Sequence, residues 1–158
     1  MSDASEMIKQ QALIVLDEAL EEPTVPYRCL TDHEGLLSTL SDLDRATASA
    51  ETIPGDPTST IAAHCGHLRF SALVWSEWLR GSRDPVDWSE GWGISGVDQE
   101  AWRQLIKDLE SAFAAARESV ASTDATSPEA VGGILSLVAH TAYHIGAIRQ
   151  KIGYIIAS

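Results

Sequence analysis

Cysteine is nearly absent from this chain, long apolar runs are missing, and 11 basic residues face 23 acidic ones. The two cysteines, Cys29 and Cys65, are too few for a disulfide framework, and nothing in them argues for secretion. No segment reaches the roughly 18 consecutive apolar residues expected of a membrane span, so no membrane partner is expected. The opening MSDASEMIKQQ lacks a basic n-region and a long apolar stretch, which argues against a signal peptide. The default compartment is therefore the cytoplasm. A net charge of −12 and a pI near 4.6 would repel phosphate backbones, and nucleic-acid binding would need a local basic stripe. There is none: Arg69, Arg80 and Arg83 are scattered, and acidic residues lie close to the latter two. The negative charge reads as a solubility device.

What is present points to helices. The 158 residues fit one domain, 1–158, and 44% are hydrophobic, enough for a core. Ile8, Ala12, Val15, Leu16 and Ala19 form one helical stripe over roughly 4–21, which Pro23 and Pro26 end. Thr31-Asp32-His33-Glu34 has the form of a capping box, with His33 exposed in the cap. A short helix over about 32–48, with a break near Ser41, follows it. Asp56-Pro57 predicts the start of a second long helix, since Asp suits the cap and Pro the first turn. Its stripe is Ile61, His64, Cys65, Leu68, Ala72, Trp75 and Leu79, and Gly81 closes it.

After a long Gly-, Ser-, Asp- and Trp-containing connection, Asp98 caps a third helix carrying Trp102, Leu105, Ile106, Leu109, Phe113, Ala116 and Val120. The last helix begins somewhere between Pro128 and Ile134, a boundary that Gly132-Gly133 blurs, and runs almost to the C-terminus. No strand, internal repeat or low-complexity tract is evident. The expectation is an all-α four-helix bundle with one additional short helix between the first two long ones. The 82–97 connection is long enough to cross the bundle.

Two of the five histidines, His140 and His144, sit one helical turn apart in AHTAYHIGAIRQ. Side chains at i and i+4 point the same way, with Cβ atoms about 6 Å apart, close enough for two imidazoles to grip one ion. A third ligand is needed, and His64 is the favoured candidate because it shares the inward stripe of its helix. His67 is the rival, about 60° round the helix on a flank with Phe70 and Val74. Buried imidazoles cost free energy unless their nitrogens are paired or coordinated. The ordinary reading of one core histidine is a hydrogen-bonded packing residue; three that converge are harder to satisfy that way. The chain has no Glu-x-x-His pair of the di-iron carboxylate kind and no His-Glu-x-x-His zincin motif. Cys65 adjoins His64 but points about 100° away, and reads as a small core residue.

With TIAAHCGHLRF in the second long helix and HTAYHIGAIRQ in the last, the chain resembles the DinB/YfiT-like superfamily of metal-binding four-helix bundles. The segment DWSEGWGISGVDQEAWRQL is similar to the crossover between helices 2 and 3 of its members, so the resemblance covers most of the chain. It implies an up-down-down-up topology and a metal site of His64, His140 and His144. It also implies zinc or nickel as the ion and, often, a homodimer. Some members are transferases or isomerases that use low-molecular-weight thiols such as bacillithiol or mycothiol.

Three neutral imidazoles would leave a divalent ion its full charge and an open position, the pattern of a catalytic rather than a structural site. A thiol bound there loses its proton and becomes a nucleophile. The expected function is therefore a metal-dependent enzyme that activates a low-molecular-weight thiol for transfer to a small electrophile. The alternatives are a stress-linked metal-binding bundle without turnover and a metal-dependent hydrolase. No general base stands out. Tyr143 reads first as a packing residue with its hydroxyl at the rim. Arg149 either holds a ligand carboxylate or, more ordinarily, pairs with the acidic surface or with helix-end carbonyls. Trp88 and Trp92, in the crossover, either line a pocket mouth or pin the loop.

Overall fold

A computed structural model describes residues 2–21 and 34–157. Among the described residues the chain is all-helical, with no strand. The α-helices are α1 (Ser2–Leu20), α2 (Leu36–Ser41), α3 (Arg45–Ser49), α4 (Ile61–Leu79), α5 (Gln99–Ser122) and α6 (Pro128–Ala157). Helix α4 packs against α5 and α6, and α1 packs against the same two. The 3-4 spacing of α5 is realised in Trp102, Leu105, Leu109, Phe113, Ala116 and Val120, all buried, while Ile106 is only partly buried at the edge of the core. They meet Leu16, Ala19 and Leu20 of α1, Leu68 and Ala72 of α4, and Ile134, Leu137 and Ile148 of α6 in one core. A fully buried side chain such as Phe113 contributes about 1.5–3 kcal/mol to that core.

One helix boundary departs from expectation and two are sharpened. The short helical region is broken after Ser41, as expected, into α2 and α3, and Asp44 caps the second by accepting from the Thr47 N–H at 2.8 Å. Asp56 does not start α4. It caps a 3-10 turn, Pro57–Ser59, and Thr60 then caps α4, its hydroxyl accepting from the Ala63 N–H at 3.0 Å. Two good caps stand four residues apart in the sequence, and the second governs the long helix. The start of α6 is set by Ser127, whose hydroxyl accepts from the Ala130 N–H at 3.1 Å, with Pro128 in the first turn. The end of α4 is where the sequence places it, with Gly81 at φ +107°. The Thr31–His33 part of the capping box, Cys29, Pro23 and Pro26 lie outside the described residues.

The crossover between α4 and α5 is held at three places. Arg83 donates to the Trp78 carbonyl at 2.8 Å and lies over the Trp78 ring. Thr60 donates to the Ser95 carbonyl at 2.9 Å, and the Val97 N–H donates to Ser49 Oγ at 3.0 Å. Between these points a 3-10 turn, Trp88–Trp92, lies against α4. Helix α6 is long and apolar enough, by length and composition, to cross a membrane. A core helix passes the same test, and α6 packs on α1 and α4 through Ile134, Leu137, Ile145 and Ile148.

Candidate metal centre

Four histidines from α4 and α6 come together under the crossover. The i, i+4 pair behaves as the spacing predicts: the His140 and His144 rings lie 4.5 Å apart, centroid to centroid. His67 completes a compact set with them, and the ligating atoms of His67, His140 and His144 all lie within 4.8 Å of one another. His67 Nε2 is 3.2 Å from His140 Nε2. Two nitrogens bound tetrahedrally at about 2.0–2.1 Å from one zinc ion would stand roughly 3.3–3.4 Å apart, so this pair already has the separation a shared ion needs. These three residues could hold a metal ion.

His64 is beside the set. Its Nδ1 lies 3.0 Å from His144 Nδ1, within reach of a shared proton or of a common ion. His67 is not on a flank, as its spacing suggested, but buried at 5% exposure, more deeply than the half-buried His64. The displaced start of α4 explains this. With Thr60 as the cap, His64 sits in the first turn, at the open end of the helix, and His67 falls one turn deeper. The signal was in the sequence, in Thr60 and in the i, i+3 spacing of HCGH, but the Asp56-Pro57 signal upstream competed with it.

Burial governs the chemistry of the rings. It pushes His64 down to about 4, with Lys151 and His67 adding to the effect and Asp56 opposing it. It pushes His67 to about 4, with His140 contributing, and His144 to about 3, with His140, His67 and His64 contributing. His140 is lowered by burial as well. At neutral pH all four are therefore uncharged and offer lone pairs, the state in which imidazole binds metals. His67 Nδ1 is buried with no hydrogen-bond partner among the described residues. A buried ring nitrogen left without a partner in this way costs free energy.

The crossover tryptophans do both things the sequence left open: they cover the cluster and anchor the loop. Trp92 stacks on His67 at 4.2 Å and 15°, and meets His64 edge-on. Trp88 lies 6.4 Å from His67 and 6.1 Å from Phe70. Gly91 permits this approach, since a Cβ there would come within 2.7 Å of His67 Nδ1. Trp92 and His64 also line an open cleft of about 540 Å³, together with Asp56, Thr58, Tyr143 and Lys151.

The remaining candidates fall outside the ligand set. Tyr143 is 70% exposed, edge-on to His144, and lines the cleft rather than packing in the core. Arg149 donates to the Glu34 carbonyl at 2.7 Å. Cys65 is fully buried and its thiol is pushed up by burial, so it packs as a small apolar residue. His33 lies outside the described residues. The sequence reading passed over Lys151 altogether and took Asp56 only as a cap.

Comparison with protein-family models, with curated proteins and with solved structures returns no match to this chain.

Proposed function

We propose that the chain is a DinB/YfiT-like four-helix bundle that holds a divalent transition metal, zinc or nickel. In this reading the bundle activates a low-molecular-weight thiol for transfer to a small electrophile. One observation carries it: three neutral imidazoles, His67, His140 and His144, present their nitrogens within 4.8 Å of one another in a buried site.

Contact directions support the up-down-down-up arrangement. Arg69 faces Asp108 at 3.7 Å and Arg80 reaches the Ala115 carbonyl at 3.5 Å, so α4 and α5 advance together. Lys9 reaches the Ala121 carbonyl at 3.1 Å while Arg117 pairs with Asp17 at 2.7 Å, so α1 and α5 run oppositely. Trp78 lies at Gly133 and His64 at His144, so α4 and α6 run oppositely too.

When bound, the ion would supply a positive charge that favours thiolate over thiol, and a coordination position not filled by protein. The protein's own part is to keep the imidazoles neutral by burial, to exclude bulk water with Trp88 and Trp92, and to admit a small molecule through the cleft walled by His64. A thiol held there would release its proton to solvent through that cleft, and its sulfur would bond an electrophilic carbon as the leaving group departed with the electron pair.

A second ligand set, His64, His140 and His144, is favoured by the 3.0 Å approach of His64 to His144. A bundle that binds metal without turnover is favoured by the close cover that Trp92 gives His67. Activity separates the enzyme from that bundle. The metal-loaded protein, mixed with a panel of thiols and monochlorobimane, should accelerate conjugation with at least one thiol in proportion to its metal content. Acceleration with none would leave the bundle without turnover. Hydrolysis across an ester and amide panel would point instead to a metal-dependent hydrolase.

A further inference from the structure

We propose that the cleft beside the histidines binds a small carboxylate-bearing molecule, with Lys151 as the group that receives the carboxylate. The inference rests on the reading above, because the cleft is lined by His64, whose Nδ1 lies 3.0 Å from His144 Nδ1, so a ligand seated there would stand beside the proposed metal centre.

Lys151 is the cation of the cleft, and it is held in place. Its Nζ donates to Thr52 Oγ1 at 3.0 Å, and that hydroxyl in turn donates to the Ser59 carbonyl at 2.9 Å. The ammonium has three N–H groups, so two remain for a ligand. The neighbouring carboxylate does not use them. Asp56 accepts from the Thr58 N–H at 2.9 Å and from the Thr58 hydroxyl at 2.7 Å, and it makes no ion pair with Lys151 within 4.0 Å. Five other cations are ion-paired, Lys9 with Glu6, Arg69 with Asp108, Arg80 with Glu77, Arg103 with Glu100 and Arg117 with Asp17 and Glu21, while Arg83 and Arg149 donate to main-chain carbonyls. Half-buried Lys151 has burial working against its charge, with only the field of Asp56 in its favour. An anion arriving in the cleft would restore what desolvation removes.

The chemistry of the walls narrows the ligand. One ammonium, with the only lining carboxylate, Asp56, turned to Thr58 and the rest of the wall hydroxyl, amide and apolar or aromatic groups, suits no more than a single negative charge. A polyanion would meet the field of a chain carrying −12. Trp92 and Tyr143, which line the cleft with Lys151 and His64, offer flat apolar surface. A short molecule with a carboxylate at one end and a metal-seeking or reactive group at the other fills this space in one orientation.

The test compares 3-mercaptopropionate with its uncharged amide, 3-mercaptopropionamide, by calorimetric titration of zinc-loaded protein. The wild type should bind the carboxylate about ten-fold more tightly, the size of one charge-assisted hydrogen bond. Lys151→Gln should lose that preference while keeping its zinc and its helical circular dichroism, and Lys151→Arg should retain most of it. Equal affinities in the wild type, no binding of the carboxylate at millimolar concentration, or a preference that survives Lys151→Gln would each overturn the proposal. Zinc content, measured separately, keeps the two readings apart. A protein that takes no zinc but still prefers the carboxylate contradicts the metal centre alone, and a zinc-loaded protein without the preference contradicts the cleft alone.

Discussion

Helices α4 and α6 meet in two unlike places, once around the rings of His64, His67, His140 and His144, and once where Trp78 lies on Gly133. At the second place the contact is hydrocarbon fitted to hydrocarbon. A Cβ on Gly133 would come within 2.3 Å of the Trp78 ring and 3.2 Å of Leu79, so only glycine leaves room. At the first place the contact is polar, covered by Trp88 and Trp92, with His67 Nδ1 unsatisfied. One contact is complete as it stands and contributes to stability directly. The other leaves a buried ring nitrogen without a partner, which costs stability, and an ion bound there would add its binding free energy to the folded state. That contrast is where the account is most easily broken.

The largest effect expected is at the histidine end. Zinc at 100 times its dissociation constant should stabilise the folded chain by about 2.7 kcal/mol, read as a rise in denaturation midpoint. His144→Ala should abolish the rise. Next comes Gly133→Ala, which overpacks the other end. It should cost about 1–3 kcal/mol in chemical denaturation and leave metal content intact. If it cost nothing, the Trp78 contact would not be the tight one described.

The third expectation concerns protons. The folded protein holds His64 and His67 at about 4 and His144 at about 3, against an ordinary value of 6.5. Above pH 6.5 these rings are neutral in both folded and unfolded chains, and stability does not depend on them. Between 6.5 and about 4 the unfolded chain binds protons that the folded one excludes, so the metal-free protein should lose stability as pH falls. Urea midpoints at pH 7 and pH 5 measure this, and His144→Phe should make the dependence shallower. A flat profile would mean that the rings are not buried as described. The smallest effect has the opposite sign to that of Gly133→Ala. Gly132, one residue earlier, has open space where its Cβ would stand, so Gly132→Ala should stabilise α6 by about 0.5–1 kcal/mol.

The same contrast shows what the sequence could reveal. Periodicity marks most of the buried face of α5, because its polar and apolar faces are well separated; it includes Ile106, which is only partly buried, and omits the small buried Ala112 and Ser119. The pairing of His140 with His144 was equally plain, since it depends only on the pitch of one helix. Choosing between His64 and His67 depended on where α4 begins, and two capping signals four residues apart competed for that role. The Trp78–Gly133 contact left no trace in local pattern: a Gly-Gly pair in a helix reads as a weak boundary until the facing helix supplies a ring to fill the gap. The cleft around Lys151 was hidden for a related reason. Its walls come from the turn before α4, the crossover and α6, which are adjacent only in the folded chain.

Metal content measured by elemental analysis on four purified proteins, the wild type, His64→Ala, His67→Ala and His144→Ala, bears most directly on the central claim. The account predicts about one transition-metal ion per chain in the wild type and in His64→Ala, and near-complete loss in His67→Ala and His144→Ala. Full metal in His67→Ala with loss in His64→Ala would move the third ligand to the mouth of the helix. Full metal in His144→Ala would contradict the centre altogether.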